Sequence, residues 1–168
     1  TRTAADRIDD DRVARRLGRM GLSPEKIELF RSFHEGAPPW RLLGQASTDT
    51  VFRVPAVRFS DARSGAEAGT WLYDFRWKTE VLEMGAVHCL DVPFAFDVLD
   101  HPTARAITGD DPPQELADEV HRAWVGFIKD GDPGWPKYET DKRPTKVFDV
   151  ESRVDEDPWE DLRETWID

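Results

Sequence analysis

His88 is the side chain of this sequence best suited to act as a general base. It lies in the segment MGAVHCLDVPFAF (84–96), directly after the small pair Gly85 and Ala86. An imidazole exchanges a proton near neutral pH, and small preceding residues let the backbone approach a substrate or a neighbouring loop. The apolar residues that follow are expected to hold the loop in the core: Val92, Phe94 and Phe96. Residue type alone also allows an ordinary structural histidine.

The sequence offers this base no nucleophile. No serine stands in a G-x-S-x-G motif, the strained turn that exposes a serine hydroxyl above a sheet. The serines are Ser23, Ser32, Ser47, Ser60, Ser64 and Ser152. Cys89 adjoins His88, but adjacent side chains on an extended backbone point to opposite faces. We therefore expect Cys89 to be a small core residue.

Metal and cofactor sites have no support in the sequence. The four histidines, His34, His88, His101 and His121, show no H-E-x-x-H or other zinc-type spacing. His88 and Asp91 are three residues apart, which by itself does not make a metal site. The sequence also lacks a phosphate-binding glycine loop. We therefore expect the protein to need no cofactor.

Composition predicts a single acidic globular domain. The chain has 168 residues, 39% of them hydrophobic, and its 9 Phe and 7 Trp argue against disorder. A net charge of −11 disfavours nucleic acid and anionic membranes as partners. The basic run from Arg12 to Arg19 is interpreted as a solvated helix, with a binding arm as the alternative. The single cysteine, Cys89, excludes an internal disulfide and favours a reducing compartment such as the cytoplasm.

Capping residues and apolar periodicity predict a helix-rich chain. The expected helices cover residues 9–20, 23–35, 47–62 and 113–131, with a short last helix that carries Trp159 and Trp166. Pro55 predicts a kink or a late start in the third of them. The fourth carries an apolar stripe at helical period, formed by Leu116, Val120, Ala123, Trp124, Phe127 and Ile128.

Strands are few. Residues 70–77 (TWLYDFRW) alternate and are rich in aromatic side chains, and residues 145–150 (TKVFDV) form a weaker candidate. Two or three isolated strands make a poor sheet, so we expect the chain to complete a sheet begun elsewhere. The chain starts at Thr1 rather than Met, so we expect that a preceding segment was removed or that the chain is part of a longer protein. No signal peptide or membrane span is visible.

The segment around His88 resembles the catalytic-histidine segment of type B carboxylesterases, the esterase/lipase/cholinesterase branch of the α/β-hydrolase fold. Bacterial para-nitrobenzyl-esterase-like members resemble it most. Their pattern is G-A-x-H, two residues, an acid, an aliphatic residue and P-F-x-F. In this sequence it is filled by Gly85, Ala86, His88, Asp91, Val92, Pro93, Phe94 and Phe96.

Other segments resemble the same family in the same order. TDTVFRVPAVRFSDA matches its D-x-x-F-x-x-P helix, GTWLYDFRW its strand before the histidine, and AWVGFIKDGDPGWPKY its W-x-x-F-x-x-x-G-x-P helix end. VFDVESRVDEDP is similar to its closing strand region. The resemblance implies one C-terminal fragment of a carboxylesterase domain over residues 1–168, with a helical lead-in (1–44) and a family-matching region (45–168). The implied fold class is α/β, the C-terminal part of an α/β-hydrolase fold, helix-rich with a few strands of an incomplete sheet.

The resemblance implies that the full-length protein is a serine carboxylesterase and that His88 is its triad histidine. Family order is serine, acid, histidine, so the nucleophile, the acid and the oxyanion loop are expected upstream. Asp91 and Asp97 are then expected to pin or cap the loop. The chain alone is expected to be inactive and to expose apolar surface that favours self-association. Its expected partners are a small ester substrate and the N-terminal part of the same protein.

Two alternatives stay open. Some members of this fold lack the nucleophile and serve as interaction modules, which an acidic surface would suit. The preceding coding sequence discriminates, because an upstream G-x-S-x-G indicates an esterase and its absence a binding module. An unrelated acidic helical domain is the third interpretation, and the ordered set of motifs argues against it.

Overall fold

The computed structural model describes residues 8–168 and divides them into two compact units. The first unit contains residues 8–62 and Trp159–Asp168, and the second contains Arg63–Pro158. The chain therefore leaves the first unit after Ala62 and returns to it at Trp159.

The first unit is helical. Its helices are α1 (Asp10–Arg19), α2 (Pro24–Phe33), α3 (Pro39–Thr48), α4 (Val54–Arg63) and α8 (Glu160–Trp166). Buried side chains of α1, α2 and α3 meet in one core whose members include Val13, Leu17, Phe30, Leu42 and Ala46. The Trp166 ring of α8 packs edge-on against Phe30, with 5.9 Å between ring centroids. The predicted short last helix is thus confirmed.

The caps of α1 and α2 follow from local chemistry. The Asp9 carboxylate accepts a hydrogen bond from the Arg12 backbone N–H at 2.7 Å, and the Ser23 hydroxyl accepts one from Lys26 N–H at 3.3 Å. Both side chains satisfy backbone donors that have no partner within the helix. Pro24 occupies the first turn of α2, where a missing N–H costs nothing. The predicted starts of both helices are confirmed.

Helix α3 was not predicted. It begins at Pro39, with Pro38 as its N-cap residue, beyond the predicted end of the second helix at residue 35. A π-helical turn, Asp49–Arg53, then joins α3 to α4 directly ahead of Pro55. The proline ring clashes with the carbonyl four residues back, so the wider turn lets the helix continue. The expected irregularity at Pro55 is confirmed, but the helical path begins earlier than residue 47.

Asp49 is a buried carboxyl in this π-helical turn. Burial raises its pKa, while the charge of Arg53 and a 2.7 Å hydrogen bond from the Gln45 amide act to lower it. The folded pKa therefore lies above that of the unfolded chain. The resulting stabilisation is present below the unfolded pKa and is lost as pH rises through the folded one.

The second unit combines a small sheet with helices. Its elements are β1 (Leu72–Phe75), a 3-10 turn (Val81–Glu83), α5 (Val92–Ala95), α6 (Pro102–Thr108), α7 (Gln114–Asp130), β2 (Pro144–Phe148) and β3 (Arg153–Glu156). The strand order is β1-β2-β3. Strand β1 pairs with β2 in parallel, with Leu72 opposite Thr145, and β2 pairs with β3 antiparallel, with Pro144 opposite Glu156. Within the described residues, the second edge of β1 has no strand beside it.

Helix α7 covers the core of this unit with only half of its predicted apolar stripe. Leu116, Val120 and Ala123 are buried, and the helix ends at Gly131, whose φ of 70° is the left-handed cap that glycine adopts readily. Three members of the predicted stripe near the end of the helix are exposed: Trp124, Phe127 and Ile128. Apolar periodicity alone does not distinguish these two halves.

Among residues 8–168, none of the helices combines the length and the apolarity that crossing a bilayer requires.

Candidate active site

His88 lies at the surface of the second unit, in a turn between the 3-10 turn and α5. The base of this loop is closed by a backbone bridge, in which Thr79 N–H donates to the Gly85 carbonyl at 3.3 Å. Gly85 has a φ of 66°, which a glycine adopts without strain. The exposed imidazole can thus meet a group that approaches the loop from outside.

The turn continues through Cys89, and here the sequence prediction is wrong. Cys89 is exposed rather than a small core residue. Its φ of 66° is left-handed, so the backbone is a turn and not the extended strand that was assumed. This turn directs the next side chain, Leu90, into the core, where it is fully buried. Leu90 therefore holds the segment directly behind His88.

The apolar run after His88 is only partly an anchor. Phe94 is 0% exposed, and its ring lies 5.1 Å from those of both Phe75 and Trp77. Val92 is 44% exposed and Phe96 is 71% exposed, so the expectation that they lie in the core is wrong. The physical reason is that the run forms the single helical turn α5, which has Pro93 as its second residue and buries one face.

Asp91 ties the loop to the sheet. The Tyr73 hydroxyl on β1 donates a hydrogen bond of 2.8 Å to the Asp91 carboxylate, three residues beyond His88. Burial raises the pKa of Tyr73 well above its usual value, and the bond to Asp91 raises it further. The phenol therefore stays protonated and remains a donor. This contact agrees with the loop-pinning function expected for Asp91, whereas Tyr73 itself was not anticipated.

Asp97 and His121 fix the far end of the loop to α7. The Gln114 amide donates to the Asp97 carboxylate at 2.8 Å, and a ring nitrogen of His121 lies 2.9 Å from the Ala95 carbonyl. Asp97 thus has the structural use expected for it. A buried tyrosine or a helical histidine commonly needs a polar partner. This tendency is the only feature of the sequence from which these hydrogen bonds could have been predicted.

The other histidines serve local backbone. A ring nitrogen of His34 lies 2.8 Å from the Phe30 carbonyl, and His101 caps α6 by accepting from Thr103 N–H at 3.2 Å. In the part of the chain that the structure describes, no three His, Cys, Asp or Glu side chains are grouped so that they could hold a metal ion. His88 lies exposed in the turn before α5.

We expect the variant Tyr73→Phe to loosen the His88 loop. The change deletes only the hydroxyl that binds Asp91, and a hydrogen bond to a charged group contributes about 1.5–3 kcal/mol. Hydrogen exchange of the Leu90 amide, which donates to the Val87 carbonyl at 3.1 Å, should accelerate by about tenfold. Asp91→Asn is the matched control, because its amide oxygen can still accept from Tyr73. Equal protection of Leu90 in Tyr73→Phe and the parent chain would contradict the pinning function.

Known proteins resemble this chain in sequence. A family profile described as Carboxylesterase family matches residues 36–162. The chain is 34% identical over 126 residues to the para-nitrobenzyl esterase of Bacillus subtilis (strain 168), covering 70% of this chain and 25% of that protein. It is 29% identical over 118 residues to phenmedipham hydrolase of Pseudarthrobacter oxydans, covering 64% of this chain and 24% of that protein.

Solved esterase structures share the fold of this chain. The carboxylesterase EST55 of Geobacillus stearothermophilus at pH 6.2 superposes with a TM-score of 0.83 at 29% identity, over 97% of this chain and 36% of that one. A thermophilic PNB esterase superposes with a TM-score of 0.74 at 25% identity, over 98% of this chain and 35% of that one. The expected fold class, part of an α/β-hydrolase fold, is confirmed. The chain spans about a quarter of the length of these sequence relatives and about a third of these solved chains.

Proposed function

The chain belongs to the carboxylesterase family, and from that membership we propose that it is the C-terminal part of a serine carboxylesterase and supplies the catalytic histidine, His88. The observation that carries this proposal is the position of His88. The imidazole is exposed, in a loop that follows β1 and is fixed by buried Leu90 and Phe94 and by the bond between Tyr73 and Asp91. A base that must meet a nucleophile from elsewhere needs both exposure and a rigid support.

In the proposed mechanism His88 transfers protons between three oxygens. It takes the proton of an upstream serine as that hydroxyl attacks the ester carbonyl. It then donates this proton to the departing alkoxide, which leaves an acyl-enzyme. A water molecule repeats the cycle, with His88 again as the base, and releases the acid. An upstream carboxylate would hold the ring in the correct tautomer, and no cofactor takes part.

We propose carboxylic esters of small molecules as substrates of the whole enzyme. The support is family membership together with two relatives whose names describe ester or hydrolase chemistry, para-nitrobenzyl esterase and phenmedipham hydrolase. A chromogenic para-nitrobenzyl ester is accordingly the first substrate to assay.

The proposed partner of this chain is the N-terminal part of the same protein. Parallel strands usually lie inside a sheet with both edges and both faces covered. Strand β1 has an open edge among the described residues, and Trp124, Phe127 and Ile128 of α7 are exposed in the same unit. We propose that residues 1–168, a lead-in (1–44) and a family-matching region (45–168), belong to one domain that the N-terminal part completes. Without that part, the same surface would favour self-association of the chain.

We expect the 168-residue chain alone to hydrolyse a para-nitrobenzyl ester no faster than its His88→Ala variant. The reason is that a base without serine, acid and oxyanion donors retains almost none of the rate enhancement. The measurement is initial velocity at matched protein concentration, with the full-length protein as the positive control. Turnover by the chain that disappears in His88→Ala would show that it carries its own nucleophile.

A further inference from the structure

Helix α1 carries a basic face. Its arginines stand at spacings of three and four residues, so they lie on one side of the helix: Arg12, Arg15, Arg16 and Arg19. Val13 and Leu17, which are fully buried, occupy a different side. Like charges at these spacings repel one another and destabilise a helix unless an anion offsets them.

The basic face borders a cavity. An open cavity of about 510 Å³ is lined by the four arginines together with Ile8 and with Leu43 and Ser47 of α3. This volume is in the range of sites for small organic molecules. The Ser47 hydroxyl donates to the Leu43 carbonyl at 2.9 Å, so the guanidinium groups are the main donors available to a ligand.

Two of the three carboxylates at the start of α1 make contacts other than with this basic face. Asp9 is engaged in the cap of α1, and Asp10 pairs with Arg31 at 3.5 Å. Throughout residues 8–168, no ion pair joins the guanidinium groups of Arg12, Arg15, Arg16 or Arg19 to an acid. Several other arginines within residues 8–168 do have carboxylate partners: Arg31, Arg53, Arg76, Arg153 and Arg163. The net charge of the chain is −11, so four arginines on one face of α1 contrast with its acidic composition.

We propose that this cavity binds a small, multiply charged oxyanion through the guanidinium groups of Arg12, Arg15, Arg16 and Arg19. Guanidinium groups stay charged at all accessible pH values and donate paired hydrogen bonds that match phosphate and carboxylate oxygens. Four of them suit a ligand with several negative charges, such as a diphosphate or a tricarboxylate. The apolar walls formed by Ile8 and Leu43 accommodate the organic part of such an anion. The site is independent of His88 and of ester hydrolysis.

The test is calorimetric titration of the 168-residue chain with inorganic pyrophosphate at about 0.15 M salt, where long-range attraction is screened. We expect saturable binding of one ion per chain. The double variant R12Q/R16Q should weaken it by at least about tenfold. The matched control is R105Q/R122Q, which removes the same charge from exposed arginines of the other unit and should leave the affinity unchanged. Absence of saturable binding, or an equal loss in both variants, overturns the proposal.

Two further sets of measurements identify the chemical class of the ligand and test whether the variant is folded. Citrate should also bind, with the tighter of citrate and pyrophosphate indicating carboxylate or phosphate chemistry. Acetate should not saturate, and acetate binding as tight as pyrophosphate would overturn the claim of a multivalent site. Pyrophosphate should raise the unfolding temperature of the parent chain but not of R12Q/R16Q. Because glutamine is a good helix former at exposed positions, circular dichroism of that variant should be unchanged.

Discussion

Replacing His88 by alanine in the full-length protein is expected to lower kcat for a para-nitrobenzyl ester by about four to six orders of magnitude. Without the imidazole, the serine would have to attack as a neutral hydroxyl and the alkoxide would have to leave unprotonated. KM should change little, because the imidazole acts mainly in the transition state. Steady-state kinetics on the full-length protein measures both constants.

His101→Ala is the matched control for this experiment. His101 is also an exposed histidine, but its ring caps α6 by accepting from Thr103 N–H. The control should keep kcat within about a factor of two, with at most about 1 kcal/mol lost from stability. A His88→Ala enzyme that kept a tenth of the parent rate would remove His88 from the mechanism. A full-length protein without any ester hydrolysis would instead favour the interaction-module interpretation.

The second large effect concerns the support beneath the loop. Phe94→Ala should cost about 3–5 kcal/mol of unfolding free energy, because it removes a fully buried ring and leaves a cavity. That ring contacts Phe75 at the end of β1 and Trp77 just beyond it. The same core contains Leu116, Ala117, Val120 and Phe148. Urea unfolding of the 168-residue chain, followed by tryptophan fluorescence, measures the loss.

Phe96→Ala is the matched control for Phe94→Ala. Phe96 is the same residue type two positions along the same segment, but it is exposed, so its truncation should cost less than about 0.5 kcal/mol. The sequence pattern P-F-x-F treats the two phenylalanines alike, whereas the structure distinguishes them. Equal losses in the two variants would mean that the helical turn α5 does not orient this segment as described.

Features decided by neighbouring residues were predictable from the sequence. Asp9 and Ser23 predict the starts of α1 and α2, because a capping side chain accepts a hydrogen bond from a backbone N–H three residues away. Pro55 predicts the irregular turn before α4, because its ring clashes with a backbone carbonyl only four residues away. The motif around His88 also identified the candidate base, because the family resemblance depends on residue types in order.

Features decided by distant residues or by backbone conformation were not predictable. Nothing local to Leu72 indicates that it pairs with Thr145, since that pairing joins segments far apart in the chain. The burial of Leu90 and the exposure of Cys89 depend on one left-handed residue, which a pattern of residue types does not encode. Tyr73 belongs with them, because its hydrogen bond partner lies on another element.

The return of the chain to its first unit affects the order in which the protein can fold during synthesis. Helix α8 completes the core around Phe30, yet the ribosome adds it only after the whole of Arg63–Pro158 has been made. Helices α1 to α3 therefore emerge with part of their apolar surface uncovered, while the second unit has all of its residues before α8 exists. Translation thus favours completion of the second unit first, although domains usually finish in the order of the sequence. The early helices therefore wait for their last partner, α8, while the whole second unit is made.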